Sequence, residues 1–390
     1  MTSRQERQGH GPLQGVRIVE MAGLGALPFC CMLFADMGAD IVTIAAPVSR
    51  ANSVPQARAP HDSDPVWRGR SRLILDLKEP GAADLLLQLL RDVDVLVEGF
   101  RPGVMERLGL GPDACLATNP RLVYGRMTGW GQEGPLAQVP GHDANYMALT
   151  GALHSIGYPD RPPVQPLNLV GDLGGGALYL ATGVLAALLH ARQSGSGQVV
   201  DAAMVDGVAS LMTQFYGMRS AGRWNDERQS NPIGGGAPYS TVYETSDAKH
   251  VAVVAVEDKF YGALLKKLGL RADDLPERTR QENWPALRAQ FSAIFRGKTR
   301  AEWAALLESG DACVSPVLDM SEAPDHPHNI ARHAFVEHAG QPIPAAAPRF
   351  LGTPTGHAPQ SRGLAAGMLL AWGANRHAVE ALLTMSGATA

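Results

Sequence analysis

Between Gly141 and Gly176 the chain reads GHDANYMALTGALHSIGYPDRPPVQPLNLVGDLGGG, which sets a histidine, His142, and a carboxylate, Asp172, on two separate loop-to-helix junctions. An imidazole and a carboxyl group on separate elements can act on one carbon from opposite sides, one removing a proton and the other delivering one. Asp172 follows the apolar Leu167, Leu169 and Val170 and precedes Gly174, Gly175 and Gly176. Leu178, Leu180, Val184, Leu185, Leu188 and Leu189 then recur at helical spacing as far as His190. That pattern places Asp172 at a helix start, where unpaired N–H groups and the positive end of the macrodipole gather, and glycines let a ligand oxygen approach. The same residues also read more plainly: Asp172 as an N-cap, the glycines as aids to close helix packing, His142 as a core histidine, and Asp143 as the cap of the next helix.

The elements that must position these groups are read from periodicity. Val16 to Met21, Ile41 to Ile44, Leu73 to Leu77, Val95 to Val97 and Arg121 to Thr128 read as strands, with helices over Ala26 to Gly38 and Pro80 to Arg91 between them. Strands alternating with helices predict an α/β fold, a doubly wound, Rossmann-like parallel sheet. Its ligands would bind beyond the carboxyl ends of the strands, near Glu98–Gly103 and Thr128–Gly131. No dinucleotide fingerprint opens the first helix, because Gly23-Leu24-Gly25 continues as Ala26-Leu27-Pro28. Gln198 to Asp201 reads as a further strand and Met204 to about Gly222 as one helix.

At 390 residues and 45% hydrophobic content the chain exceeds one ordinary core, so two domains are expected. The reading is a disordered tail over 1–15, a large domain over 16–222, a linker over 223–238 and a small α+β domain over 239–326. A segment over 327–390, rich in Pro, Ala and Gly from Gln341 to Gly373, returns to the large domain or to a partner subunit. In the small domain Tyr239 to Glu244 and His250 to Val256 read as paired strands. Helices follow near Asp258 to Leu268, Trp284 to Phe295 and Arg300 to Leu307.

A net charge of -4 argues against nucleic acid as a partner. Cys30, Cys31, Cys115 and Cys313 have no metal or disulfide spacing and read as reduced packing residues. The uncharged run from Leu173 to Leu189 is short for a membrane span and opens on Asp172, so it is expected to be a core helix. The polar N-terminus and the ending Ser386-Gly387-Ala388-Thr389-Ala390 carry no address that we read as secretory or peroxisomal, which favours the cytoplasm.

A series of blocks spread over nearly the whole chain carries a resemblance. They are VRIVEMAGLGALPFCCMLFADMGAD, LDLKEPGAADLL, VEGFRPGVMERLGLGP, MTGWGQEGPLA, GHDANYMALTG, PLNLVGDLGGG, GSGQVVDAAMVDG, GGGAPYSTVYET and DACVSPVL. In this order they resemble the alpha-methylacyl-CoA racemases, within the family III CoA-transferase superfamily. The resemblance implies inversion of the alpha carbon of a 2-methyl-branched acyl-CoA through an enolate, with His142 and Asp172 as the two bases. Glu257, in VAVEDKFY, would be the hydrogen-bond partner that fixes the tautomer of His142. Residues expected around the substrate and its CoA are Arg70, Leu75, Lys78, Gly99, Arg101, Arg107, Tyr146 and Gly174. N–H groups at the start of the Gly174 helix would hold the enolate oxygen. No metal and no cofactor are expected, coenzyme A entering only as part of the substrate. An interlocked homodimer is implied as well.

Two stretches depart from the family pattern. Thr43, Ala45 and Ala46 stand in a strand that normally carries arginines toward the CoA phosphates, and Ala26-Leu27-Pro28 replaces a Pro-Gly-Pro type turn lining the acyl pocket. Arg50, Arg68 and Arg72, with the cationic residues named above, offer compensating charge. The departures also fit an enzyme that keeps the proton-transfer groups for a carrier-bound or CoA-free carbonyl substrate. A CoA-transferase using Asp172 as nucleophile, and a non-catalytic binding or scaffold protein, are the remaining alternatives.

Overall fold

The computed structural model describes residues 11–47, 64–355 and 365–386. The chain begins with β1 (Arg17–Met21), α1 (Ala26–Asp36), β2 (Asp40–Ala45), β3 (Arg70–Ile74), α2 (Ala82–Leu90) and β4 (Val95–Glu98). It continues through α3 (Val104–Arg107), α4 (Pro112–Thr118), β5 (Val123–Thr128) and α5 (Asp143–Ala148) to a π-helical turn over Leu169–Ala177, which runs directly into α6 (Leu178–Ser194). After β6 (Gln198–Ala203) come α7 (Met204–Leu211) and α8 (Thr213–Ser220).

The six strands pair in parallel in the order β3-β2-β1-β4-β5-β6, the doubly wound arrangement expected from the alternation of elements. Alternate strand residues feed two cores. Ile18, Ile41, Val95, Val97 and Val123 pack with α1 and α6 on one face. Val19, Val42, Ile44, Leu73, Leu96 and Tyr124 pack with α2 on the other. Strands buried on both faces need the near-continuous apolar runs seen in β1, β2 and β4. The strand order reverses between β1 and β4, so the loops that follow these two strands open a crevice at the carboxyl edge of the sheet.

The described chain divides into two compact units. The first holds this sheet, with residues up to Thr150, Pro166–Leu211 and the stretch from His333 onward. The second takes Gly151–Gln165 and Met212–Arg332. Its sheet is antiparallel, β7 (Ser240–Glu244) pairing β8 (His250–Val254) and β8 pairing β9 (Val314–Pro316). The helices α9 (Asp258–Leu268), α10 (Trp284–Phe295) and α11 (Arg300–Leu307) complete an aromatic core around Tyr243, Phe291, Phe295 and Trp303, and α12 (Pro327–Ala331) ends the unit.

The chain then returns to the first unit as a hairpin, β10 (Phe335–His338) and β11 (Gln341–Pro344), and two helices, α13 (Ala365–Ala371) and α14 (Arg376–Ser386). Leu369, Trp372, Val379 and Leu382 enter the core beside α2.

Several boundaries differ from expectation. The helix expected from Met204 to Gly222 is two helices, and the chain changes unit between them, at Leu211. Residues 151–165 and 212–238 pack with the second unit, which therefore starts earlier than the composition shift at Arg223 implies. β3 lies ahead of its expected position because its register on β2 pairs Ile41 with Arg70. In the expected N-terminal tail, Gly11–Gly15 form an anchored turn, the Leu13 N–H donating to the Met37 carbonyl at 2.9 Å.

Candidate active site

Asp172 does not cap a helix. It lies inside the π turn, whose N-cap is Asn168, so the helical path begins earlier than the glycine run suggests. The wide turn fits because its glycines meet α7 backbone to backbone. A Cβ on Gly207 would overlap the Gly175 carbonyl, and one on Gly175 would lie 2.7 Å from Val208 Cγ2. Gly174 sits within this turn, where N–H groups bond back along the turn, so it is not the open helix start that was expected. The TM-like run Leu169–Ser194 is long and apolar enough to cross a membrane by length and composition alone. Its buried side, Leu180, Val184, Ala187 and Leu188, packs on the sheet and α1.

The Asp172 carboxyl faces the loop after β1. Gly25, with φ 63, passes so close that a Cβ there would stand 2.9 Å from Asp172 Oδ2. Only glycine combines that backbone geometry with that approach. The aspartate therefore sits at the carboxyl edge of the sheet beside the β1–β4 crevice. Burial pushes its pKa up. The Asn168 amide, donating to Oδ2 at 3.3 Å, opposes this, while Asp143 adds to the rise and His142 opposes it.

His142 is itself the N-cap of α5, the place expected of Asp143. Asn145 Oδ1 accepts the His142 N–H at 3.0 Å, which fixes the backbone and leaves the imidazole exposed. Asp143, one residue on, is 2% exposed, and its Oδ2 accepts the Asp172 N–H at 2.8 Å. The two junctions picked out in the sequence are thus joined directly, and the Asp172 carboxyl feels the charge of His142. Tyr146, buried on the same helix, lies with its ring on Gly129, stacks edge-on with Trp130 at 4.8 Å and donates its hydroxyl to the Gly141 carbonyl. Burial first, then the carboxyls of Asp172 and Asp143, pushes its phenol up to about 12.

Glu257 belongs to the second unit, where it is exposed at the N-cap of α9.

The residues expected around CoA divide sharply. Arg70 is internal. Its guanidinium bonds Glu20 Oε1 and Oε2 at 3.1 and 3.2 Å, the Val66 carbonyl at 2.7 Å and the Pro28 carbonyl, and it lies over the Trp67 ring. Thr43, one of the departures from the family strand, serves this buried pair, its hydroxyl donating to Glu20 Oε2 at 2.7 Å. Burial raises the Glu20 pKa against the pull of Arg70 and Thr43. Arg68 is likewise committed, to Asp36. Leu75 is a core side chain whose N–H donates to the Ala45 carbonyl at 2.8 Å. Ala26 and Leu27 are buried in the first turn of α1, and Leu27 packs between Gly23 and Gly99 instead of lining an open pocket.

By contrast Lys78, Gly99, Arg101 and Arg107 are exposed, Lys78 shortly after β3 and the other three after β4. Arg50 lies outside the described residues. Sequence reasoning missed Asp143 as more than a cap, and it missed Gly25. The signal for Gly25 was present in Gly23-Leu24-Gly25, which was weighed only as a nucleotide motif.

Comparison with known proteins places the sequence and its fold. Residues 13–361 match the model of CoA-transferase family III. The chain is 42% identical to the human alpha-methylacyl-CoA racemase over 343 residues, covering 88% of this chain and 87% of that one. It is 29% identical to the acetyl-CoA:oxalate CoA-transferase of Acetobacter aceti, over 88% of this chain and 90% of that one. The crystal structure of Rv3272 from Mycobacterium tuberculosis superposes with a TM-score of 0.73 at 28% identity, covering 89% of this chain and 95% of that one. A six-stranded parallel sheet, a carboxyl group at its switch point and a match along most of the length lead to one conclusion: this chain belongs to CoA-transferase family III.

Proposed function

We propose that this enzyme inverts the alpha carbon of a 2-methyl-branched acyl-CoA by proton transfer between His142 and Asp172. The observation that carries the reading is their placement on two elements joined by one hydrogen bond, so that two proton-transfer groups of different chemistry share one neighbourhood. The 42% identity to a racemase supports it.

One group removes the alpha hydrogen as a proton, and the C–H electron pair moves into the enolate, leaving negative charge on the thioester oxygen. The other group, in its acid form, delivers a proton to the opposite face, the carbonyl re-forms, and the two groups end with their protonation exchanged. A raised Asp172 pKa suits this work, because a carboxyl held toward neutrality keeps a proton to deliver and, once ionised, is the stronger base. The N–H groups of Asp143 and Ala144 belong to the first turn of α5, where a helix leaves donors unpaired, and are suited to the enolate oxygen. Glu257 would orient the His142 ring, in a homodimer that brings the required surfaces together. Lys78, Arg101 and Arg107 would meet the CoA phosphates.

The family's transferases favour a second reading, in which Asp172 attacks the thioester carbonyl and expels CoA thiolate to give a mixed anhydride. Incubation of one enantiomer of a 2-methylacyl-CoA in deuterated water separates them. Racemisation gives loss of configuration with deuterium at the alpha carbon. Hydroxylamine trapping of an Asp172 adduct, with configuration retained, would establish transfer.

A further inference from the structure

We infer that the Asp143 carboxyl is a positioning residue for this reaction, tying the turn that carries Asp172 to the helix start that carries His142. The inference rests on the two-base reading above and adds a residue to it. An acidic residue in the first turn of a helix ordinarily stays in water and favours the macrodipole. Asp143 is instead 2% exposed, and its Oδ2 spends its acceptor capacity on the Asp172 N–H at 2.8 Å. Its Oδ1 is buried with no hydrogen-bond partner among the described residues, a costly arrangement that a purely structural contact has no need of.

The approach depends on glycine. A Cβ on Gly171 would stand 2.5 Å from Asp143 Oδ2 and 2.8 Å from the Asp143 carbonyl oxygen. Because Asp143 follows His142 directly, this one bond sets the spacing between the two proton-transfer groups. It also brings a second carboxyl next to Asp172. The ionisable groups that act on Asp172 are Asp143 and His142, with Tyr146 beside them on α5. Asn168 contributes a neutral amide from the π turn, and Gly25 brings no charge from the loop after β1.

The test compares Asp143→Asn and Asp143→Ala with the parent enzyme by kcat, KM, thermal unfolding and the pH profile of alpha-deuterium incorporation. Asp143→Ala is expected to lower kcat about 10²-fold with KM nearly unchanged, the effect of misplacing a reacting group. Asp143→Asn keeps an oxygen for the Asp172 N–H, so it should recover much of kcat. It removes a negative neighbour, so the limb of the profile due to Asp172 should move to lower pH. Parental kcat in a folded Asp143→Ala enzyme, or equal losses in both variants with an unmoved limb, would overturn the inference. If Asp143→Ala fails to fold, Asp143→Asn decides alone by whether its limb moves. A parent enzyme that incorporates no alpha deuterium would overturn the two-base reading itself, which is a different result from an active parent indifferent to Asp143.

Discussion

Asp172 carries the tension between stability and chemistry. Burial raises its pKa in the folded chain, so the folded state disfavours the ionised carboxylate. Its contribution to stability is fully present below the unfolded pKa and is lost as pH rises through the folded value. At neutral pH Asp172→Asn is therefore expected to raise the unfolding temperature, while racemisation falls about 10²- to 10⁴-fold, the usual worth of a positioned acid or base. Differential scanning calorimetry and a chiral assay check the two halves. Arg70 predicts the opposite pattern. Its removal strands the buried Glu20, so Arg70→Ala is expected to lower stability by about 3–5 kcal/mol in denaturant unfolding. For the exposed Lys78 and Arg101, replacement by Ala should leave stability within about 0.5 kcal/mol, away from any buried feature. The same changes should raise KM for the CoA ester, more strongly at low salt. His142 and Asp172 stood out in the sequence by their place at loop-to-helix junctions, but pattern alone read them as a core histidine and a cap, and only the family resemblance gave them the role of bases. Arg70 was misread because strand register decides whether a guanidinium points at solvent or at Glu20, and a strand displaced along the chain hides that.

Among the elements, the π turn and α7 depend most on having no side chains between them. Gly207 lets its backbone pass the Gly175 carbonyl, and any Cβ must push the two apart. Gly207→Ala is expected to cost about 1–3 kcal/mol, the range for overpacking, and thermal unfolding measures it. Because the turn carries Asp172, kcat should fall with it. The helical pattern from Leu178 onward was plain in the sequence. The wider turn before it was not, since π geometry comes from the backbone crossing of α7 and leaves no periodicity of its own. The break between α7 and α8 was hidden for a similar reason. Both pieces are helical, and only their packing partners differ.

At the scale of the whole molecule, the doubly wound sheet was readable from alternating strands and helices, and the return of the C-terminal segment to the large domain was one of the two courses expected, whereas the helices that make the return and the core they enter were not. Ala365, Leu369, Trp372, Val379 and Leu382 sit in the same core as α2, far from it in sequence. A chain ending before Ala365 would expose that core face, at about 1.5–3 kcal/mol for each large side chain, and is expected to be insoluble or to lose its thermal transition. The central claim, two bases of different kind acting on opposite faces, is tested most directly by following deuterium incorporation from each enantiomer of a 2-methylacyl-CoA with His142→Gln and Asp172→Asn. The account predicts that racemisation falls about 10²-fold or more in both variants, yet each still exchanges the alpha proton of the one enantiomer facing its remaining base, the two variants choosing opposite enantiomers. Racemisation near the parental rate in either variant, or both variants exchanging the same enantiomer, would contradict it.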